Sequence, residues 1–240
     1  MDDVAITLDV DWAPDYAIDL AARILVEREV RATWFITHAS PAIDRLRQRP
    51  DLFELGIHPN FLPGSTHGGT ESEVLEHCVA LVPDAISMRT HGLYQSTSML
   101  VRVMAETRIE VDVSLLLPWA RRLAPVPFVW QGRTLLRVPY FWEDDIEMEA
   151  LSPSWHLNEA LLEEPGLKVF DFHPIHVTLN SSALAPYRRL CLPAGSLASG
   201  TEVEARPLVN QGEGTRTLFV ELADRLERGG FQIRDLRDAA

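Results

Sequence analysis

Six short apolar runs in this chain each end in an acid, a histidine or an arginine. Val4 to Leu8 leads into Asp9-Val10-Asp11-Trp12, and Ala32 to Thr37 into His38. Leu52 to Ile57 leads into His58-Pro59-Asn60, and Ala85 to Met88 into Arg89-Thr90-His91-Gly92. Leu135 to Val138 is followed by Tyr140-Phe141-Trp142-Glu143-Asp144-Asp145, and Leu167 to Phe172 by His173-Pro174-Ile175-His176. Runs this short, rich in β-branched and aromatic residues, read as strands. In parallel α/β folds, sites collect where strands end, at their carboxyl edge. One polar ending is turn chemistry; the same ending on nearly every strand asks for another reason.

Between the runs the period changes to that of helices. Asp15 begins a helix through Glu29, with Ala17, Leu20, Ala21, Ile24 and Leu25 on one face. Ser40-Pro41 is a helix start, and Thr70-Glu71-Ser72-Glu73 has capping-box spacing. Ser96 to Thr107 is helical, Ile109 to Val113 a strand, Thr215 to Arg228 a helix stopped by Gly229-Gly230, and Phe231 to Leu236 a last strand. His77 falls in a predicted helix beside core positions and reads as structural. Seven or eight strands separated by helices give an α/β chain with a parallel sheet and helices outside, open or closed into a barrel. Val177 to Gly214, rich in Pro, Ser and Gly, is the longest irregular stretch. With no internal repeat and no linker, residues 1–240 read as a single domain.

A net charge of −13 argues, as an average, against nucleic acid or an anionic membrane as the main partner, while leaving room for a local basic patch. Cys78 and Cys191 make neither a disulfide framework nor a CxxC site, and read as free thiols. The opening MDDVAITLDVDW has no basic leader region, and no apolar run approaches the roughly 20 residues that span a bilayer. A soluble cytoplasmic protein is expected.

Asp9 and Asp11 are two apart, so an extended backbone points both carboxylates to one face. Close carboxylates repel unless a cation sits between them. Imidazoles added to such a pair suit Zn²⁺ and similar metals, with one carboxylate as ligand and the other free as a base.

Taken in order, these segments resemble the polysaccharide deacetylase (NodB-homology, carbohydrate esterase family four) superfamily. Thr7-Leu8-Asp9-Val10-Asp11 stands where that family has TFDDG, and Gly56-Ile57-His58 where its first metal histidine lies. Arg89-Thr90-His91-Gly92 is a loose match to its Arg-x-Pro motif, and Val169 to His173 matches its last strand. ITLDVDWAPD, ELGIHPNF and VFDFHPIHVTLN look most like a sub-group associated with O-antigen and surface-polysaccharide biosynthesis. A valine separates the two aspartates that the family has adjacent. Leu62 stands where its second metal histidine would be, and His67 in the following Gly-rich loop is the nearest substitute.

The resemblance implies a distorted (β/α)₇ barrel and metal-dependent removal of an N-acetyl or O-acetyl group from a sugar or glycan precursor. It implies Asp11, His58 and His67 as metal ligands, for Zn²⁺ foremost with Co²⁺ or Ni²⁺ as alternatives. Asp9 would be the base toward the attacking water, with Arg89 orienting it, and His173 the acid toward the leaving nitrogen; spacing leaves the order of Asp9 and Asp11 open. Trp12, Tyr140 and Trp142 are candidate sugar platforms. Asn60, His91, Glu143 and His176 are further substrate-side candidates. Two other readings compete: a metal-dependent amidohydrolase acting on another C–N bond, and a catalytically weak carbohydrate-binding relative, for which the lost HxxxH spacing is the best support. The expected partner is an acetylated sugar, with no nucleic acid and no membrane span; the oligomeric state is left open.

Overall fold

The computed structural model describes residues 4–194 and 197–239. Asp2 and Asp3, the acids that open the chain, lie outside the described residues, as do residues 195 and 196 of the expected irregular stretch.

The first half follows the sequence pattern closely. β1 (Val4–Asp9) leads to α1 (Asp15–Glu27), β2 (Ala32–Ile36), α2 (Pro41–Arg47), β3 (Phe53–Ile57), α3 (Glu71–Leu81) and β4 (Ser87–Met88). Every residue of β1 and β2 is buried, as strands covered on both faces require. The helices start where their caps are. Ser40 accepts the Ile43 N–H, while Thr70 and Glu73 satisfy each other's backbone N–H groups. α1 buries Ala17, Ile18, Ala21, Ile24 and Leu25; Asp15 lies in its first turn rather than at the cap, and the helix stops two residues short of Glu29.

The second half holds α4 (Thr97–Glu106), β5 (Val111–Leu116), β6 (Val126–Trp130), β7 (Arg133–Tyr140), β8 (Trp142–Glu143), α5 (Asp144–Met148), α6 (Glu159–Leu162) and β9 (Lys168–Phe172). α7 (Pro174–Leu179), α8 (Ala185–Ala194), α9 (Glu202–Ala205) and α10 (Thr215–Arg225) follow. Thus the stretch from Val177 to Gly214 is largely helical where the sequence suggested loop. Phe231 to Leu236 is not a strand either. A 3₁₀ segment spans Ile233–Ala239, and its Ile233 and Arg234 N–H groups bond Thr33 Oγ1 and Glu54 Oε2. The end of the chain therefore docks on side chains of β2 and β3 instead of extending the sheet.

Among the described residues, nine strands form one mixed sheet in the order β6-β7-β5-β4-β3-β2-β1-β9-β8, parallel throughout except for the β6–β7 hairpin. That hairpin, unforeseen in the sequence, turns on Gln131 and Gly132, both at positive φ (47° and 79°), as a two-residue type I′ turn demands. The ladder ends at β6 and β8, so its strand order does not by itself close the expected distorted (β/α)₇ barrel. A single residue, Phe141, separates β7 from β8, and its N–H donates to Val169 O at 3.2 Å. One run, Arg133 to Glu143, therefore pairs with β5 first and with β9 afterwards.

The core carries the geometry of the site. Gly56, two residues before His58, lies where an added Cβ would meet Ser87 Oγ at 2.6 Å and the Phe35 ring at 2.8 Å, so only glycine fits there. Phe172, next to His173, meets Phe219 of α10 edge-to-face at 4.9 Å.

Candidate active site

The polar strand endings converge at the carboxyl edge. A cleft of about 110 Å³ is lined by Asp9, Asp11, His58, Thr90, His91, Gly92, Leu93, Tyr140, Glu143, Asp145 and His173. Larger cavities occur elsewhere, one of about 510 Å³ between α2, β3 and the C-terminal segment. They lack this convergence of imidazoles and carboxylates.

Asp9 and Asp11 reach the cleft by a route other than strand alternation. Asp9 is the last residue of β1, and Val10 is buried. Asp11 and Trp12 then both take positive φ, 46° and 55°, a strained pairing for non-glycine residues. The Trp12 N–H donates to Thr37 Oγ1 at 2.9 Å and holds the turn. The effect is to fold the Asp11 carboxylate back over the strand ends.

Three imidazoles surround Asp11. His58 Nε2 lies 3.0 Å and His91 Nδ1 3.1 Å from its Oδ1, and His173 Nε2 lies 3.5 Å from its Oδ2. Burial pushes the Asp11 carboxyl up, but hydrogen bonds from His173, His58 and His91 more than offset this and hold it well below the usual carboxylate range. His91 feels the same pairing in reverse: burial lowers its pKa, and the bond to Asp11 raises it to a net upward shift. His91 comes from the 3₁₀ turn after β4, where Gly92 at φ 60° redirects the chain.

Asp9 has a different neighbour. The wholly buried Arg89 donates Nη1 to Asp9 Oδ1 at 2.9 Å, touches Asp171 with the same nitrogen, and gives Nη2 to Thr7 Oγ1 at 2.9 Å and Nε to Val113 O at 3.2 Å. Its guanidinium lies 4.2 Å from the Tyr140 ring centre and 4.8 Å from that of Phe35. Burial disfavours a charged guanidinium, but Asp171 and Asp9 overcome it and push the Arg89 pKa up. A lasting cation thus sits between two carboxylates below the cleft.

His173, at the end of β9, is clamped from behind. Asp144 accepts the His173 N–H through Oδ2 at 2.9 Å and lies 2.7 Å from its Nδ1 through Oδ1. Burial pulls the imidazole pKa down, yet the charges of Asp144 and Asp145 carry it well above the usual histidine value. Glu143, joined by the Tyr140 hydroxyl at 2.8 Å, is pushed up to about 7, chiefly by burial. Burial also pushes Asp145 upward, but His173 and His176 bring it down to about 2.

Not every expected residue joins the cluster. His67 does not: both its ring nitrogens are used elsewhere. Nδ1 accepts the Asn60 N–H at 3.2 Å, so Nε2 carries the proton and donates it to Thr37 O at 2.9 Å. Burial lowers the His67 pKa to about 4, and the ring stacks on His77 at 4.9 Å. Trp142 is no sugar platform, because its ring is buried among Trp155, Phe170 and Phe172. The Tyr140 ring, also buried, covers Arg89. Asn60 accepts the Leu62 N–H and shapes its own loop. His176 stands behind Asp145, with Nε2 at 2.8 Å from Oδ1 and Nδ1 at 3.0 Å from Ser181 Oγ. Trp12 stands beside the cleft-lining His91 without itself lining the cleft, its ring 5.3 Å from those of both His91 and His67. Asp144 and Asp171 carry the framework of the site and went unselected in the sequence, although each adjoins a polar strand ending.

Among the described residues, three donor groups are compact enough to hold one cation: Asp11 with His58 and His91; Asp9 with Asp171 and His173; and Glu143 with Asp145 and His173. In the second, Arg89 already supplies the positive charge. In the third, Asp144 engages His173 from behind. The first offers two imidazoles and a carboxylate on one side of a cleft, a donor set that suits a borderline divalent metal with positions left for water and substrate.

A parallel α/β sheet carrying imidazoles and carboxylates at its carboxyl edge is the kind of scaffold on which a hydrolase of the deacetylase class is built. Residues 6–191 match the WbmS-like polysaccharide deacetylase model, and the chain belongs to that family. It is similar to WbmS of Bordetella bronchiseptica, named as a polysaccharide deacetylase involved in O-antigen biosynthesis, with 34% identity, coverage of 92% of this chain and 90% of that one, and a TM-score of 0.80. A Bacillus anthracis protein, named a pseudoenzyme of carbohydrate esterase family four, aligns at 13% identity over 99% of this chain and 66% of its own, with a TM-score of 0.44. Its mutant with restored activity aligns at 14% over 99% and 68%, with the same TM-score. No curated protein matches. Among the described residues, no helix is long and apolar enough to cross a membrane.

Proposed function

We propose that this chain is a metal-dependent deacetylase that removes an acetyl group from an acetamido (or acetoxy) sugar of a surface-polysaccharide precursor. The observation that carries the reading is the unequal surroundings of the two aspartates: Asp11 lies among imidazoles, while Asp9, 3.6 Å from His58 Nε2 through Oδ2, is held by a guanidinium through Oδ1. Asp11, His58 and His91 would hold the divalent metal, Zn²⁺ foremost with Co²⁺ or Ni²⁺ as alternatives. His91 takes the role expected of His67. The bound metal would supply Lewis-acid polarisation of the acetyl carbonyl and a lowered pKa for water at the site.

Asp9 is the base. Arg89 holds one of its oxygens, fixing the carboxylate in place to receive a proton from the attacking water. His173 is the acid. Asp144 fixes its tautomer through Nδ1, so Nε2 faces the cleft with the proton that the leaving nitrogen needs. Trp12 at the rim offers a face on which a sugar ring can stack. The whole chain serves as one catalytic domain, and its sheet is taken as a distorted seven-stranded barrel, with the Phe141 to Val169 bond in support. The free thiols of Cys78 and Cys191 fit a reducing compartment such as the cytoplasm.

The test is acetate release over a panel of acetamido sugars, with metal content measured on the same protein. The reading expects one divalent ion per chain and acetate release that chelation abolishes and Zn²⁺ or Co²⁺ restores. Hydrolysis of cyclic amides without acetate release favours the amidohydrolase reading. Metal-free protein that binds sugar without turnover favours the weak-binding one.

A further inference from the structure

From Val113 to Trp142, thirty consecutive residues contain four arginines and no acidic residue, in a chain of net charge −13. The same stretch holds the β6–β7 hairpin and much of the molecule's exposed apolar surface. Val126 is 55% exposed, Val129 63%, Trp130 45% and Trp119 46%. In an antiparallel pair, residues directly opposite share a face. Trp130 is opposite Arg133 and Val126 opposite Arg137, and alternation adds Phe128 to that face. Arg137 is neutralised by Asp112, and Arg121 pairs with Glu164 in the open. Arg122 and Arg133 are exposed and have no carboxylate partner among the described residues.

Exposed tryptophan and valine framed by unpaired arginine is the composition that sits at a bilayer–water boundary, with rings at headgroup level and cations on anionic lipid. We propose that the β6–β7 hairpin, with the Leu117–Arg122 segment beside it, docks this protein on an anionic lipid surface. Charge complementarity selects that occupant, since the rest of the molecule is strongly acidic and would be repelled. A second copy adding a strand along β6 is disfavoured. Flanking a two-residue turn, Trp130, Phe128 and Val126 point their N–H groups at β7, so Pro127 occupies a position whose N–H would face outward, and it has none to offer. Only the Leu117 end of the patch reaches the cleft, where the Leu117 N–H bonds the carbonyl of Tyr140; Trp130 and Arg133 lie at the opposite, amino end of β7.

The experiment is co-sedimentation of the purified protein with phosphatidylcholine vesicles, alone or with about a third of the lipid replaced by phosphatidylglycerol. Binding is expected to the anionic vesicles only, and to be lost at high ionic strength. Arg122→Gln with Arg133→Gln is expected to weaken it roughly twentyfold, from about fivefold per charge near such a surface. Val126→Ser with Trp130→Ser is expected to abolish it; all four side chains are exposed, so an unchanged thermal melt serves as the folding control. No binding to anionic vesicles at low salt overturns the proposal, as does binding that both double variants leave intact. A wild-type dimer in solution that Val126→Ser with Trp130→Ser makes monomeric also overturns it, by giving the patch to a second copy. Vesicle binding is scored without turnover, so its failure is separate from any failure of the deacetylase reading.

Discussion

Two polar clusters sit at opposite edges of the same sheet, one around Glu54 and one around Asp9 and Asp11, and they differ in what surrounds them. At the amino edge, Glu54 of β3 receives Thr33 Oγ1 at 2.7 Å, Ser87 Oγ at 2.6 Å and the Arg234 N–H at 2.9 Å. Its partners are fixed hydroxyls and backbone, and the C-terminal segment closes over it. At the carboxyl edge, Asp11 faces three imidazoles across a solvent-reaching cleft, and the buried His58 Nδ1 has no hydrogen-bond partner among the described residues. Burial raises the Glu54 pKa, while the imidazoles hold that of Asp11 low. The amino edge uses its charge to hold segments of chain together. The carboxyl edge keeps titratable groups close together and accessible, which is what a binding or catalytic site needs.

The largest expected effect breaks this comparison at the carboxyl edge. Asp9→Asn should lower acetate release about a thousandfold or more, the scale of lost general-base catalysis, while bound metal stays near one per chain. A variant that empties the metal site instead would exchange the roles of Asp9 and Asp11. His58→Ala and His91→Ala should each release the metal, with little change in urea stability at neutral pH.

Glu54→Ala is the converse. It strands two hydroxyls and a backbone N–H in the interior and should destabilise the fold by roughly 3 kcal/mol in urea melts. Acetate release per folded molecule should be unchanged; a loss comparable to that of Asp9→Asn would mean the two edges are coupled. The smallest effect concerns His67. Its folded pKa of about 4 lies below the ordinary 6.5, so the unfolded chain binds the proton first as pH falls. The stability this gives above pH 6.5 should be lost progressively as pH falls toward 4. His67→Gln should flatten that dependence and leave metal content intact.

The strand endings were legible because a buried strand must be apolar and its polar terminus then stands out, as in Asp9, His58 and His173. The hairpin was not, because its turn uses Gln131-Gly132 instead of the more recognisable Asn-Gly. His91 was read as facing substrate, since nothing in Arg89-Thr90-His91-Gly92 shows that Gly92 bends the ring toward Asp11. His67 was favoured for lying near the missing HxxxH position, but its loop needs both ring nitrogens to bond Asn60 and Thr37. Asp144 and Asp171 escaped selection because a buried acid is recognisable only beside its cation, and His173 and Arg89 are distant from them in sequence. Phe231 to Leu236 alternates like a strand, yet its backbone N–H groups bond the Thr33 and Glu54 side chains.

The central claim is that Asp11, His58 and His91 together hold one divalent ion. Diffraction from crystals of the zinc-loaded protein, collected on both sides of the zinc absorption edge, tests it most directly. The account predicts a single strong anomalous peak in contact with Asp11 Oδ1, His58 Nε2 and His91 Nδ1. A peak seated instead on Glu143, Asp145 and His173, or on His67, would contradict it, as would zinc-saturated crystals with no peak in the cleft.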